Sequence, residues 1–477
     1  MVRIPALALL AVTAALATAA VGTTAGAVVP SHHVVSDDRG GPGKWTKVST
    51  GTVQSIFEAS MVRSPDGVLH IVYPKNVAGG MQLGHTAVHT DGSLARQNDV
   101  LPAPWVNVDR RPVVTSTSAG LRVVFTGLST SAGSGFWDHG RMYTATADAA
   151  GAAWALPAEA VGISDQAAAT YGTGGTTLPD GVTPVAAFAT GDTSLIWHVG
   201  TGEAQPDAAY TSPSCCIFDT TLVRDGDAIW AGWYENGSTA ATNGTFAMQI
   251  WPTVGTPQKA PGSSVGASSH TTGRVALAAR KGGGVYAAYC AGPLVPCDAV
   301  RVWKVGTTQT KNAPHSKGAT SMSLSAGPSG RLWVSWSDTA PQVRAVRTGV
   351  NGLAMGAVVT VGRPSGANQI TALSVEGSRG RGDLVVNVGD SFWHTQVLPG
   401  LTLHASPSRW RHGSKQKVEF TVTDAQDAVK GSEVKVGKDR CTTDKHGTCT
   451  ITFPASTGKG RYTATAARRA YARATTG

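Results

Sequence analysis

Seven strand-like runs of the chain each close on a bulky residue and hand over to a polar stretch, and these stretches hold the residue types able to do chemistry. They carry Tyr73, Lys75 and Asn76; Trp137, Asp138 and His139; Asp192; Tyr234 and Glu235; Asp338; and Asp390 with Trp393 close by. Aromatic faces stack on the C–H surfaces of a sugar ring while carboxylates and amides bond its hydroxyls, so the mixture suits carbohydrate in a concave site with few placed polar groups. The aromatics that close the runs read as core, packed between sheets. A narrower possibility is acid–base chemistry of the polysaccharide lyase kind, for which His70, Tyr73 and His85 in the first repeat supply the types. Isolated His on strands, however, commonly serves structure.

The six Cys suit disulfides better than a metal site. Cys441 and Cys449 flank TTDKHGT, which reads as a hairpin with a cross-strand bridge, and Cys290 and Cys297 bracket AGPLVP in a similar way. Cys215 and Cys216 are adjacent and precede an inner strand at 219–223, where they either bond to each other or pair elsewhere. Spacing alone leaves the connectivity open. No C-x-x-C pair occurs and no His sits at ligand spacing from these thiols, so neither a metal nor a cofactor is expected.

The elements that must position these residues repeat at about fifty residues. LHIVY, LRVVF, PVAAF, AIWAGW, GVYAAY, RLWVSW and DLVVNV close at Tyr73, Phe125, Phe188, Trp233, Tyr289, Trp336 and Val388, each after a Gly-bearing turn such as Asp66-Gly67 or Ser329-Gly330. The sixth repeat shows the unit most clearly, with β runs at 321–325, 331–336, 342–348 and 357–361 forming a four-stranded meander. Fifty-eight Gly and 15% charged residues favour buried strands joined by tight turns, and no helical period is sustained. The reading is an all-β chain with a seven-bladed β-propeller over 44–399, six blades being the alternative because the third repeat is irregular around 171–184. The seventh repeat lacks an outer strand, and the segment 45–49 has the alternation to supply it and close the ring.

Around this unit, residues 1–27 read as a secretory signal ending at Ala25-Gly26-Ala27, and 28–43 as a flexible leader. No other stretch is apolar enough to span a bilayer, so the mature chain is expected to be secreted and monomeric, without a transmembrane segment. Net charge is +10, and from Leu401 onward fourteen Lys/Arg stand against six Asp/Glu. This basic tail suits an anionic neighbour such as cell-wall polymer. Nucleic acid is not expected, because the basic residues are not interleaved with a stacking platform. Asn236-Gly-Ser238 and Asn243-Gly-Thr245 match the glycosylation sequon, yet Asn-Gly is equally a turn dipeptide.

Two resemblances refine the picture. Residues 400–477, with strands at 418–423, a TTD-x-x-G turn at 442–447 and a closing G-x-Y strand at 460–466, resemble bacterial Ig-like domains of the invasin type, which implies a β-sandwich acting as a spacer or adhesive module. The propeller repeats resemble the sialidase-like superfamily: Thr146-Ala147-Asp148-Ala149-Ala150-Gly151-Ala152-Ala153-Trp154 fits its Asp-box, a hairpin tie placed away from the active face. That resemblance would imply an Arg triad, a Tyr–Glu pair and an Asp. Here Arg63 is the nearest positional substitute for a triad Arg, and Tyr234-Glu235 are adjacent on a strand and so point to opposite faces. Arg344 and Arg347 fall on an outer part of repeat six, where a solvated edge is expected. A carbohydrate- or envelope-polymer-binding protein is therefore the leading expectation, and a sialidase-like glycoside hydrolase or lyase at the same mouth is the alternative.

Overall fold

The computed structural model describes residues 43–108, 110–129, 141–156, 172–189, 194–201, 208–213, 217–264, 274–292, 295–340, 342–364, 369–409, 413–458 and 460–476. Trp137, Asp138, His139, Asp192, Cys215 and Cys216 lie outside them. Among the described residues there is no α-helix, and no helix is long and apolar enough to cross a membrane.

Among the described residues, seven antiparallel sheets follow one another along the chain before Gly400, and each runs outward from an innermost strand. Those innermost strands are Ser60–Arg63, Val113–Thr117, Thr173–Thr177, Ile217–Asp225, Ala276–Ala279, Ala319–Ala326 and Ile370–Glu376. Each touches the next, and the last touches the first. The sheets thus stand around an axis as a β-propeller, whose central channel holds about 490 Å³ between Glu58 and Arg274 at one end and Arg224 and Glu376 at the other.

Burial along the strands explains the sequence pattern. Second strands such as Pro184–Ala189, Val285–Ala291 and Gly382–Val388 are buried along their whole length, because neighbouring sheets cover both faces; they read as continuous apolar runs. The outermost strand Leu94–Asp99 (LARQND) is nearly all exposed. Tyr73, Phe125, Phe188, Trp233, Tyr289 and Trp336 are all buried, so the closing aromatics do pack between sheets. Each such burial contributes about 1.5–3 kcal/mol.

The ring closes through the N-terminal segment. Thr46–Lys47 pairs antiparallel with Ser391–Val397, Thr46 opposite His394 and Lys47 opposite Trp393, and supplies the outer strand that the seventh repeat lacks. The Trp45 indole N–H donates to the Gly362 carbonyl at 2.5 Å. At the far end of the channel the Arg63 guanidinium, on the first sheet, binds Glu376 at 2.9 Å and Asp383, both on the seventh.

The residues after Gly400 form two further four-stranded sheets around one core, with Leu403, Val418, Phe420, Val434, Ile451, Phe453 and Ala466 all buried. Cys441 and Cys449 are bonded, but not across a hairpin as the spacing suggests: Asp439–Thr442 belongs to one sheet and Thr448–Phe453 to the other. The bridge therefore staples the two layers along one side.

This pair of sheets is fixed to the propeller by charge. Arg347 binds Asp424 and lies 5.4 Å from the Tyr471 ring centroid, while Arg331 reaches Asp427 at 2.7 Å and Asp424 at 3.4 Å. The expectation of a solvated edge at Arg347 is thus corrected, since its side chain is only 8% exposed. A pair so fully desolvated persists because each partner would be left as a buried, uncompensated charge without the other.

Candidate functional site

The links from one sheet to the next and the loops between second and third strands emerge on the same face of the ring, and charged residues from these links meet there near the axis. Glu58 sits two residues before the first inner strand, Arg111 two before the second and Arg274 two before the fifth. Asp219 lies in the fourth, within a bulge between Phe218 and Thr221, and takes φ +59. Asp tolerates that left-handed conformation better than most residues, and here the bulge turns its carboxylate onto Arg111.

Arg111 is the bridge, binding Asp219 through Nη1 and lying 3.5 Å from Glu58 Oε2 through Nε. Glu58 Oε1 accepts the Arg274 backbone N–H at 2.9 Å, and the Arg274 guanidinium donates to the Pro112 carbonyl at 2.9 Å and to the Arg111 carbonyl. Side-chain exposure is 8% for Glu58, 7% for Arg111 and 1% for Asp219. Gly172, at φ +88, has room for the Arg111 side chain, which a Cβ would meet at 3.6 Å. Among the described residues, two guanidiniums thus balance two carboxylates at the floor of the mouth.

Above this floor lies a cavity of about 360 Å³. Glu58 and Arg111 line its base, Ser55, Thr320, Thr339, Gln369 and Thr371 offer hydroxyls and an amide, and Ile56, Val295, Pro296 and Ile370 add apolar surface. Ile56 is 45% exposed. The Cys290–Cys297 bridge holds the loop that carries Val295 and Pro296. Hydroxyl and amide groups set among short apolar patches match the two kinds of surface a sugar ring presents, and the volume falls within the ligand-sized range of about 300–1,000 Å³.

The residues expected from sequence distribute differently. Tyr73 is core: its hydroxyl accepts the Thr50 backbone N–H at 3.0 Å, and its ring lies 5.5 Å from Phe392. Lys75 is buried, bound to Asp99 at 2.6 Å and Thr50 at 2.9 Å, and Asn76 receives Gln54 at 3.4 Å. Asp338 is paired with Arg344 at the edge of the mouth, where burial pushes its carboxyl up and the guanidinium opposes the shift. Asp390 is exposed and accepts the Ser391 hydroxyl at 2.8 Å. Arg63 stands at the opposite end of the channel, consumed by Glu376 and Asp383.

Tyr234 and Glu235 face different neighbours, as strand alternation requires. Tyr234 clusters with Phe218 and Val275, whereas Glu235 accepts from the Ser212 hydroxyl and, at 3.2 Å, the Trp233 indole. Nearby Tyr210, its ring tilted against Trp233 at 5.2 Å, has its hydroxyl pushed up to about 12 by burial and then by the Glu235 charge. It stays protonated and donates. His70 and His85 stack 5.2 Å apart with Nδ1 and Nε2 at 3.0 Å, both wholly buried. Burial, with the His85 neighbour, lowers His70 to about 4.

No family model matches the sequence, and no characterised relative does. Solved structures with a similar course of chain include the polysaccharide lyase Uly1 (9% identity, TM-score 0.45, covering 74% of this chain and 92% of that one). A Penicillium chrysogenum alpha-L-arabinanase complexed with arabinobiose is 13% identical at TM-score 0.39, over 74% and 97%. The ancestral GH74 enzyme AFV00434 is 11% identical at TM-score 0.46, over 74% and 48%. Likenesses this distant say nothing about the chemistry of the mouth.

The mouth cluster escapes a motif search because three of its members come from separate links and the fourth, Asp219, from a strand bulge. One signal was present in the sequence: a charged residue two positions ahead of the regular inner ladder recurs at Glu58, Arg111, Asp219 (ahead of Thr221) and Arg274.

Proposed function

We propose that this is a secreted, seven-bladed β-propeller that binds a neutral saccharide in the mouth cavity, with residues 400–477 as a basic Ig-like module. The observation that carries the reading is the cavity itself: a neutral, internally paired floor of Glu58 and Arg111 beneath a rim of hydroxyls, an amide and apolar patches. Both Glu58 oxygens are already engaged, which favours recognition over acid–base turnover. Residues 1–27 would be removed on export and 28–43 would precede the ring as a leader, and the Cys290–Cys297 and Cys441–Cys449 bridges are compatible with an oxidising compartment.

The basic module would retain the protein near anionic envelope polymer. A glycan array with the full chain, run beside fluorogenic glycoside hydrolysis, tests the reading. Saccharide binding without turnover supports it; turnover abolished by a mouth substitution would establish the glycoside hydrolase or lyase instead. Retention is checked by salt: if pull-down on isolated cell wall does not weaken between low and physiological ionic strength, the electrostatic role is wrong.

A further inference from the structure

We infer that the far end of the channel carries a second binding site, for a sulfate or carboxylate group borne on a saccharide. A cavity of about 500 Å³ opens there between the fourth, fifth and sixth sheets, lined by Arg224, Arg280 and Lys281 against the single carboxylate of Asp225. That carboxylate is partly spent, since its Oδ2 accepts the Gly284 N–H at 2.8 Å. Two of the cations are held in place: Arg224 donates to Leu178 O at 2.5 Å and Arg280 to Val350 O at 2.8 Å, which fixes both side chains beside the opening. The Arg280 Nε is buried with no acceptor among the described residues.

The turn that forms one wall is Gly282-Gly283-Gly284, with φ of +94, +98 and +95. Three successive left-handed residues restrict it to glycine, and a Cβ at Gly283 would meet nothing within 4 Å, so the wall offers backbone next to cations with open space before it. Volume selects the ligand: a cavity in the ligand-sized range of about 300–1,000 Å³ takes a sugar-sized group carrying an oxyanion rather than a bare ion. Arg280 also touches the loop whose Val350 N–H donates to Asp427 at 3.2 Å, so the site adjoins the docked basic module.

That the carrier is a saccharide rests on the preceding reading; recognition of the oxyanion does not. The test is fluorescence polarisation of the full chain with labelled dextran sulfate, polygalacturonate and neutral dextran, with inorganic sulfate as competitor. Lys281 is exposed and has no partner among the described residues, so Lys281→Gln keeps the fold, and Arg224→Gln is the second variant. Expected is binding of either acidic polymer but not dextran, weakened roughly tenfold by each variant and unchanged by the mouth variant Thr320→Trp. Tighter dextran sulfate assigns the sulfate, tighter polygalacturonate the carboxylate. No binding of either polymer, with inorganic sulfate raising the thermal midpoint of wild type but not of Arg224→Gln, retains the oxyanion site and refutes the saccharide. Wild-type binding by Lys281→Gln and Arg224→Gln, or loss caused only by Lys435→Glu and Arg440→Glu on the C-terminal sheets, overturns the proposal.

Discussion

Glu58 Oε1 accepts the backbone N–H of Arg274 at 2.9 Å, joining the link that enters the first sheet to the link that enters the fifth across the mouth of the ring. The bond spans 216 residues of sequence, and with Arg111 and Asp219 it ties four of the sheets together where the mouth cavity begins. The floor of the site and the closure of the mouth are therefore one structure.

Removing Glu58 should accordingly cost stability as well as binding. Glu58→Ala takes one carboxylate away from Arg111 and strands the Arg274 N–H, and breaking a buried pair of this kind costs about 3–5 kcal/mol. Urea unfolding followed by Trp fluorescence should show a lower midpoint at unchanged slope. A midpoint within error of wild type would mean that the cluster is not buried in solution.

A second prediction concerns pH. The chain from Ser64 through His70 and His85 to Asn98 runs at 3.1, 3.0 and 2.7 Å, and Asn98 donates in turn to Gly151 O at 3.0 Å in the turn before Trp154. Unfolded, His70 takes up its proton near pH 6.5; folded, it resists until about 4. The unfolded state thus binds more protons in that window, so stability is full above 6.5, falls as pH drops towards 4 and gains no further slope from this group below it. The loss is about 3 kcal/mol. His70→Gln should flatten the dependence of thermal midpoint on pH between those limits, and an unchanged slope would remove His70 from the account.

Third, the C-terminal sheets are fastened rather than tethered. Arg347→Ala and Asp424→Ala should each lower the unfolding free energy by about 3 kcal/mol or more, with strong coupling in the double mutant. Limited proteolysis should then cut near Gly400 in the variants and spare the wild type. Additive effects of the two substitutions would show that the pair is not the fastening.

Fourth, Cys441→Ser with Cys449→Ser opens a loop of separation eight and should cost about 2–3 kcal/mol. The loss is expected to fall on the C-terminal sheets alone, read as early hydrogen exchange in Val434 and Phe420, which pair with the two Cys. Uniform destabilisation of the propeller would contradict the assignment.

How much of this was legible follows from the physics of each part. The inner runs ending at Tyr73 or Trp336 announce themselves because burial on both faces demands continuous apolar sequence, and the closing strand at Thr46–Lys47 follows from a meander left one strand short. Local pairing made Cys290–Cys297 readable, whereas Cys441–Cys449 crosses two sheets and only its partners, not its geometry, could be inferred. Lys75 and Asp338 looked like ligand groups because sequence shows a charge but not its partner; Asp99 and Arg344 consume them. Arg347 looked solvent-facing because the surface that covers it arrives 77 residues later with Asp424.

The central claim, a saccharide in the mouth above Glu58 and Arg111, is tested most directly by calorimetric titration of neutral oligosaccharides into wild type and Thr320→Trp. Thr320 lines the cavity without joining the ion pairs, so the indole fills the space and leaves the floor intact. The account predicts that wild type binds and that the variant, with an unchanged thermal midpoint, binds at least roughly tenfold more weakly. Equal affinity in the two proteins would contradict it.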